Sequence, residues 1–175
     1  MDIRHAKVTS PRIAEGIGEV TIVADGDLVT GIYFPGHWTK PDAAAFGPET
    51  DAASDPVIAG AVDQLRDYLR GERDTLDFAT RADGNDFEKR VWAMLRGIPR
   101  GETMTYGQIA EQLGDRSLAR VVGRAVGHNP LSIIVPCHRV VGADGSLTGY
   151  AGGLERKRFL LELEGALQDA GPTLF

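Results

Sequence analysis

Cysteine is almost missing from this chain: Cys137 is the one example in 175 residues. An internal disulfide is therefore impossible, and so is a zinc site built from several cysteines. A reducing compartment, the cytoplasm, is the expected location. Long apolar runs are lacking too. Nothing approaches the roughly 18 residues that a membrane helix needs. The opening Met1-Asp2-Ile3-Arg4-His5 lacks the basic-then-apolar layout of a secretory signal. There are no internal repeats and no low-complexity tracts. With 42% apolar and 25% charged residues, the composition excludes a disordered or collagen-like chain. The length suits one large domain or two small ones.

Net positive charge is lacking as well, at −6, which taken alone argues against a polyanionic partner. The distribution alters that. Residues 1–84 hold 8 Lys+Arg against 15 Asp+Glu, whereas residues 85–165 hold 11 against 9. Between 96 and 139 there are six arginines, no lysine and three acids. An acidic module joined to an anion-binding one produces such asymmetry, and so does chance fluctuation. Arginine placement has to decide.

Glu19–Ala24 and Leu28–Phe34 alternate around Asp25-Gly26-Asp27 and predict a β-hairpin. Pro35–Asp55 reads as a loop. Ile58, Ala61, Val62, Leu65, Tyr68 and Leu69 share one face of an amphipathic helix over 56–70, ended by Gly71. Thr75–Ala79 predicts a further strand, and the turn-prone Arg81–Gly84 marks the module boundary. The expected division is therefore 1–84 and 85–175. Asn85 with Glu88 predicts a capping box for a helix whose buried stripe is Phe87, Val91, Met94, Leu95 and Ile98. Thr105 is placed to cap a helix Tyr106–Leu113, and Ser117 a helix Leu118–Gly127, closed by Asn129-Pro130. Ser132–Val135 reads as an apolar strand, Ser146–Tyr150 as a strand of a short ribbon, and Leu154–Glu164 as a last helix. The class predicted is α/β (α+β).

Two short helices around Gly114 fit a helix-turn-helix, with the ribbon as a wing. A plain helical hairpin with solvated arginines fits the same pattern. The second helix offers Arg120 and Arg124 among small residues and almost nothing for reading base edges. Cys137 has two readings as well. A lone cysteine is commonly a small buried hydrophobe. Here it follows Pro136, at a turn, and precedes His138 and Arg139, groups that favour a thiolate. Neighbouring side chains in extended backbone point apart, so His138 needs a turn or a bridging water to serve Cys137. A carboxylate orienting the imidazole could be Glu155, Glu162 or Glu164.

Pro136-Cys137-His138-Arg139-Val140 resembles the active-site signature of the O6-alkylguanine-DNA alkyltransferases, also called methylated-DNA–protein-cysteine methyltransferases. Ile98–Thr103, Thr105–Ala110, Ala119–Gly123, Asn129-Pro130 and Gly149–Leu154 also stand in the family's order and spacing. The resemblance is dense over 85–165. It is thin before that, at Ser10-Pro11 and Leu28–Trp38. It implies an amino-terminal sheet-plus-helix domain, then a helical domain with a winged helix-turn-helix.

The resemblance further implies that Cys137 accepts the alkyl group from O6 of guanine, and also from O4 of thymine. His138 draws the thiol proton through a water, with Glu164 holding the imidazole. Tyr106 helps to rotate the nucleotide out. Asn129 fastens the turn before the active-site segment. Arg120 fills the gap left in the duplex, while Ser117, Ala119, Gly123 and Arg124 meet DNA with it. Val140, Tyr150, Ala151 and Gly152 line the guanine pocket. The implied partner is double-stranded DNA containing O6-alkylguanine, with no cofactor, no metal, no membrane and no obligate protein partner.

The chemistry is consistent with these residue types. Attack at an sp³ carbon needs a soft, strong nucleophile. The target atom faces the interior of a base pair, so the nucleotide must be extruded at a cost of roughly a few kcal/mol. A thioether is a poor leaving group, which limits each molecule to one turnover. This chain departs from the family pattern at Glu88, expected to be a surface change, at Val121 beside Arg120, and at Ala151, which leaves only a backbone N–H for guanine O6. Arg12–Glu19 reads as longer than the usual first hairpin. The alternatives are a non-enzymatic lesion or operator binder and a cysteine hydrolase. Cys137 with His138, Tyr106 and Glu164 argues against the first, and the absence of a separated His against the second.

Overall fold

The computed structural model of the protein describes residues 2–9, 17–36, 41–150 and 152–167. Ser10-Pro11, His37-Trp38, Ala151 and most of Arg12–Glu19 fall outside them. Three antiparallel strands, β1 (Ile3–Val8), β2 (Val20–Asp25) and β3 (Leu28–Tyr33), form a sheet in that order. β2 and β3 make the expected hairpin, turning at Gly26, whose φ of 60° suits a residue without Cβ. β1 carries three charged or titratable residues among six and was not anticipated; its Ala6 and Val8 are buried. Asp55 caps α1 (Pro56–Leu69) and pairs with Arg4 Nε at 2.6 Å, tying helix to sheet. The predicted face of α1, Ile58 to Leu69, is the buried one.

Thr75–Ala79 is not a strand. The Gln64 side chain takes the Asp77 N–H at 2.9 Å and the Thr75 carbonyl accepts from Arg73, leaving one bridge, Val29 to Thr80. Side chains satisfy the backbone there in place of a ladder.

α2 (Asp86–Arg96) has the predicted capping box. Glu88 does more than decorate the surface: it closes that box and meets His128 Nδ1 at 2.9 Å. Thr105 likewise caps α3 (Tyr106–Gln112), with Gln108 completing the box. Ser117 does not cap the next helix. Asp115 accepts the Ser117 N–H and starts a 3₁₀ turn, Arg116–Leu118, so α4 (Ala119–Gly127) begins without a side-chain cap. α3 and α4 pack together as the helix-turn-helix, and Trp92 Nε1 of α2 donates to Ala125 O at 2.8 Å, fixing α4 from behind.

Ser132–Val135 is a pair of tight turns rather than a strand. Asn129 supplies the hydrogen bonds that a strand partner would, accepting from Leu131 N and donating to Val135 O, both at 2.9 Å. Ile133 is left at φ 76°, a costly conformation for a β-branched residue. The ribbon expected at Ser146–Tyr150 is a loop, closed by Gly142 N–H to Ser146 O at 2.9 Å. The Thr148 carbonyl is taken by Lys157 Nζ at 2.7 Å and is unavailable for pairing. β5 (Val140–Val141) pairs instead in parallel with β4 (Met104–Thr105). α5 (Leu154–Leu163) ends the described chain's regular structure.

The two halves share one apolar core, which runs from Ala6 and Ile22 through Leu65 and Leu95 to Leu160. β3 also reaches across: Ile32 N–H donates to Pro130 O at 2.8 Å, and Ser132 N–H to Ile32 O at 3.3 Å. Among the described residues, no helix is long and apolar enough to cross a membrane.

Candidate active site

Pro136 ends the turns after Asn129, and the chain then winds into a 3₁₀ turn, Cys137–Arg139. This curl changes the directions expected for an extended chain. Cys137 is 4% exposed and His138 0%. Burial pushes the Cys137 thiol up, against the opposing pull of Asn129, Lys157 and Tyr150 around it. At neutral pH the group is a thiol, and its reaction needs a base.

His138, next in the sequence, is the candidate. Its Nε2 lies 3.0 and 2.9 Å from the two oxygens of Glu164. Among the described residues Nδ1 has no hydrogen-bond partner. With Nε2–H pointed at a carboxylate, the neutral ring carries its lone pair on Nδ1. Burial holds the imidazole below its ordinary value despite Glu164, so that lone pair is available at neutral pH. Of the three glutamates open to the sequence reading, Glu164 is the one that meets His138. It sits at the carboxyl-terminal cap of α5.

Burial alone would raise the Glu164 carboxyl. Hydrogen bonds from His138 and Arg139 outweigh it and hold the group far below the usual carboxylate range. Arg139 donates from Nε to Oε1 at 2.8 Å and from Nη2 to Oε2 at 2.9 Å, a bidentate pair, and from Nη1 to Ile98 O at 2.7 Å. Arg139 thus serves the carboxylate and not the thiol. The cation beside Cys137 is Lys157, fully buried and pushed down to about 8. Neither role was visible in the sequence, because both depend on where α5 packs. Tyr68 was placed correctly on the buried face of α1, but nothing in the spacing assigned a partner to its hydroxyl.

The neighbouring loop holds the other expected residues. Tyr150 is buried, and its ring lies 6.1 Å from Phe34. A Cβ at Gly152 would stand 2.3 Å from the Phe34 ring, so only glycine fits between them. Arg156 stacks 5.0 Å from the Phe34 centroid and donates to Gly152 O at 2.8 Å. Val140 is buried, and its N–H donates to Cys137 O. Ala151 lies outside the described residues. Tyr106 opens α3, with its hydroxyl 3.5 Å from Thr148 Oγ1, and its phenol is raised by burial. Opposite the Tyr106 ring is Gly123 of α4, where an added Cβ would come within 3.8 Å. Arg120, Arg124 and Ser117 are exposed, Ala119 is half-buried, and Val121 presents 39% of its surface beside Arg120. The amino-terminal groups Phe34 and Tyr68 were missed as parts of the site.

Among the described residues, no group of three or more His, Cys, Asp or Glu could hold a metal ion.

The chain is similar to known proteins along nearly its whole length. The family model described as 6-O-methylguanine DNA methyltransferase, DNA binding domain, matches residues 86–166. A methylated-DNA–protein-cysteine methyltransferase of Mycobacterium tuberculosis strain H37Rv is 46% identical over 181 residues, covering 99% of both chains. A protein of the same name from Salmonella typhimurium is 52% identical over 124 residues, 69% of this chain and 70% of that one. A crystal structure of Mycobacterium tuberculosis OGT in complex with DNA superposes with a TM-score of 0.79 at 44% identity. It covers 98% of this chain and 99% of its own.

Proposed function

The chain belongs to the methylated-DNA–protein-cysteine methyltransferase family, and from that premise we propose that Cys137 takes the alkyl group of O6-alkylguanine in duplex DNA, once and irreversibly. O4-alkylthymine presents the same alkyl–oxygen bond and is a second substrate. The carrying observation is the buried His138, next in sequence to the chain's one cysteine, with Nε2 bound to Glu164 and Nδ1 without a hydrogen-bond partner among the described residues.

The steps balance. His138 Nδ1 takes the Cys137 proton through a water, and Sγ forms a bond to the alkyl carbon. The carbon–O6 bond breaks with its electron pair going to guanine. The proton taken up by His138 then passes through water to the ring nitrogen of the released guanine, so one thiol and one alkylated base become a thioether and guanine. Burial that disfavours the free thiolate also keeps bulk solvent, as distinct from the bridging water, away from the reacting atoms. Among the described residues nothing activates a leaving thioether, and turnover stops.

Residues 85–175 act as the alkyltransferase module and residues 1–84 as its partner module. α4 enters the groove. Arg120 occupies the place of the extruded nucleotide and Arg124 meets phosphate. Ser117, Ala119 and Gly123 allow close approach. Tyr106 contacts the rotated nucleotide, while Val140, Tyr150, Ala151 and Gly152 border the guanine. Asn129 keeps the turn before Cys137 in shape. Arginines set on a chain of net charge −6 imply affinity that falls as salt rises.

The direct test is mass spectrometry after incubation with duplex DNA containing O6-methylguanine. One methyl group is expected on the peptide bearing Cys137, with no further repair beyond one equivalent. Continued turnover, or an unmodified Cys137 peptide after repair, overturns the proposal. For Arg120→Ala, repair in duplex DNA is expected to fall about tenfold or more, the loss of one good contact at a flipped site. Reaction with free O6-methylguanine base should change far less. Equal losses on both substrates would reject the intercalating role.

A further inference from the structure

Helix α1 belongs to the acidic amino-terminal half, which takes no part in the steps above. Its Tyr68 nevertheless reaches the catalytic carboxylate, 96 residues further along the chain. The buried hydroxyl donates to Glu164 Oε2 and accepts from Arg139 Nη2 at 3.2 Å. The Arg100 guanidinium lies over the Tyr68 ring, 5.5 Å from its centroid, and holds it from the other side. A carboxylate offers about four lone-pair positions. Here His138 Nε2, Arg139 Nε, Arg139 Nη2 and the Tyr68 hydroxyl supply four donors.

We propose that Tyr68 is a positioning residue for the His138–Glu164 pair, its hydroxyl fixing the carboxylate oxygen that in turn aims the imidazole at the Cys137 proton. This rests on the reading of Cys137 and His138 given above. Burial and Glu164 together push the Tyr68 phenol up to about 12, so the hydroxyl stays a donor throughout the neutral range. The charged groups facing His138 are Glu164, Arg139 and Lys157. Glu164, Arg139 and Arg100 act on Tyr68, and Asp74 and Arg96 line the same pocket. Loss of the hydroxyl leaves Glu164 with one donor fewer, and its negative charge then bears harder on His138. The imidazolium forms more readily, and the base is lost at a higher pH.

The experiment uses the full chain with Tyr68→Phe, which keeps the ring. Single-turnover methyl transfer from duplex O6-methylguanine DNA is measured against pH beside the wild type, and His138 is titrated by imidazole NMR. The expected result is transfer about tenfold slower on the acid side, the fold-change for losing one charge-assisted hydrogen bond. The acid limb and the His138 titration should both move up by about one pH unit, with duplex affinity unchanged. A purely structural tyrosine would lower stability and leave both curves in place. Coincident curves for Tyr68→Phe and wild type overturn the proposal. If wild-type Cys137 takes up no methyl group, the functional reading has failed, and the His138 titration still decides the case for Tyr68.

Discussion

Cys137→Ala should take up no methyl group from O6-methylguanine DNA and should bind the duplex as the wild type does. The nucleophile is the chain's single thiol, and no other side chain near it can replace a soft sulfur at an sp³ carbon. The residues proposed to meet DNA are set apart from it by burial: Arg120 and Arg124 are exposed on α4, while Cys137 is buried in the 3₁₀ turn after Pro136. Exchange of sulfur for hydrogen removes volume from the site and costs little of the packing that supports α4. Intact-mass spectrometry and a gel-shift titration on the same preparation check the two halves of this expectation. Residual uptake would place the acceptor elsewhere, and parallel loss of binding would make the cysteine structural.

Glu164→Ala should damage activity and stability together. The substitution strands Arg139 and His138, which are buried and share that carboxylate. Breaking a buried ion pair from one side costs roughly 3–5 kcal/mol. Loss of an oriented base removes roughly 10²–10⁴-fold in rate. The Glu164 carboxyl is depressed in the folded state, so its contribution to stability is complete above the pKa of the unfolded chain, about 4.3. That contribution then shrinks as the pH falls below this value. Urea unfolding from pH 7 to pH 3 should show the wild type losing its advantage over the variant as acid is added. A constant gap across that range would contradict the buried pairing.

Local signals in the sequence were reliable where the backbone meets its own neighbours. Asn85 with Glu88 and Thr105 with Gln108 each form a capping box, because those contacts span three residues. The hairpin around Gly26 and the buried face of α1 follow from turn chemistry and period in the same way. Misreadings arose where a side chain took a backbone hydrogen bond. Asn129 bends the apolar run 132–135 into turns, Lys157 claims Thr148, and Asp115 pre-empts Ser117 as a cap. Cys137 and His138 stand out in the sequence through adjacency and motif. Glu164 needed the resemblance, since three glutamates on one helix look alike to periodicity. Tyr68, Arg139 and Lys157 act through contacts 9 to 96 residues away, and no local pattern encodes such distances.

The backbone bonds between Ile32 and the Pro130–Ser132 segment also have a bearing on solubility. β3 is an outer strand of its sheet, and an outer strand with free N–H and C=O groups invites pairing with other chains. The turns that lead to Cys137 cover part of that edge. Cutting the protein at residue 84 would uncover it and leave Phe34 without Tyr150 and Arg156. Residues 1–84 expressed alone are therefore expected to self-associate through β3. In the whole chain, the segment that leads to Cys137 is therefore expected to guard the sheet edge against aggregation.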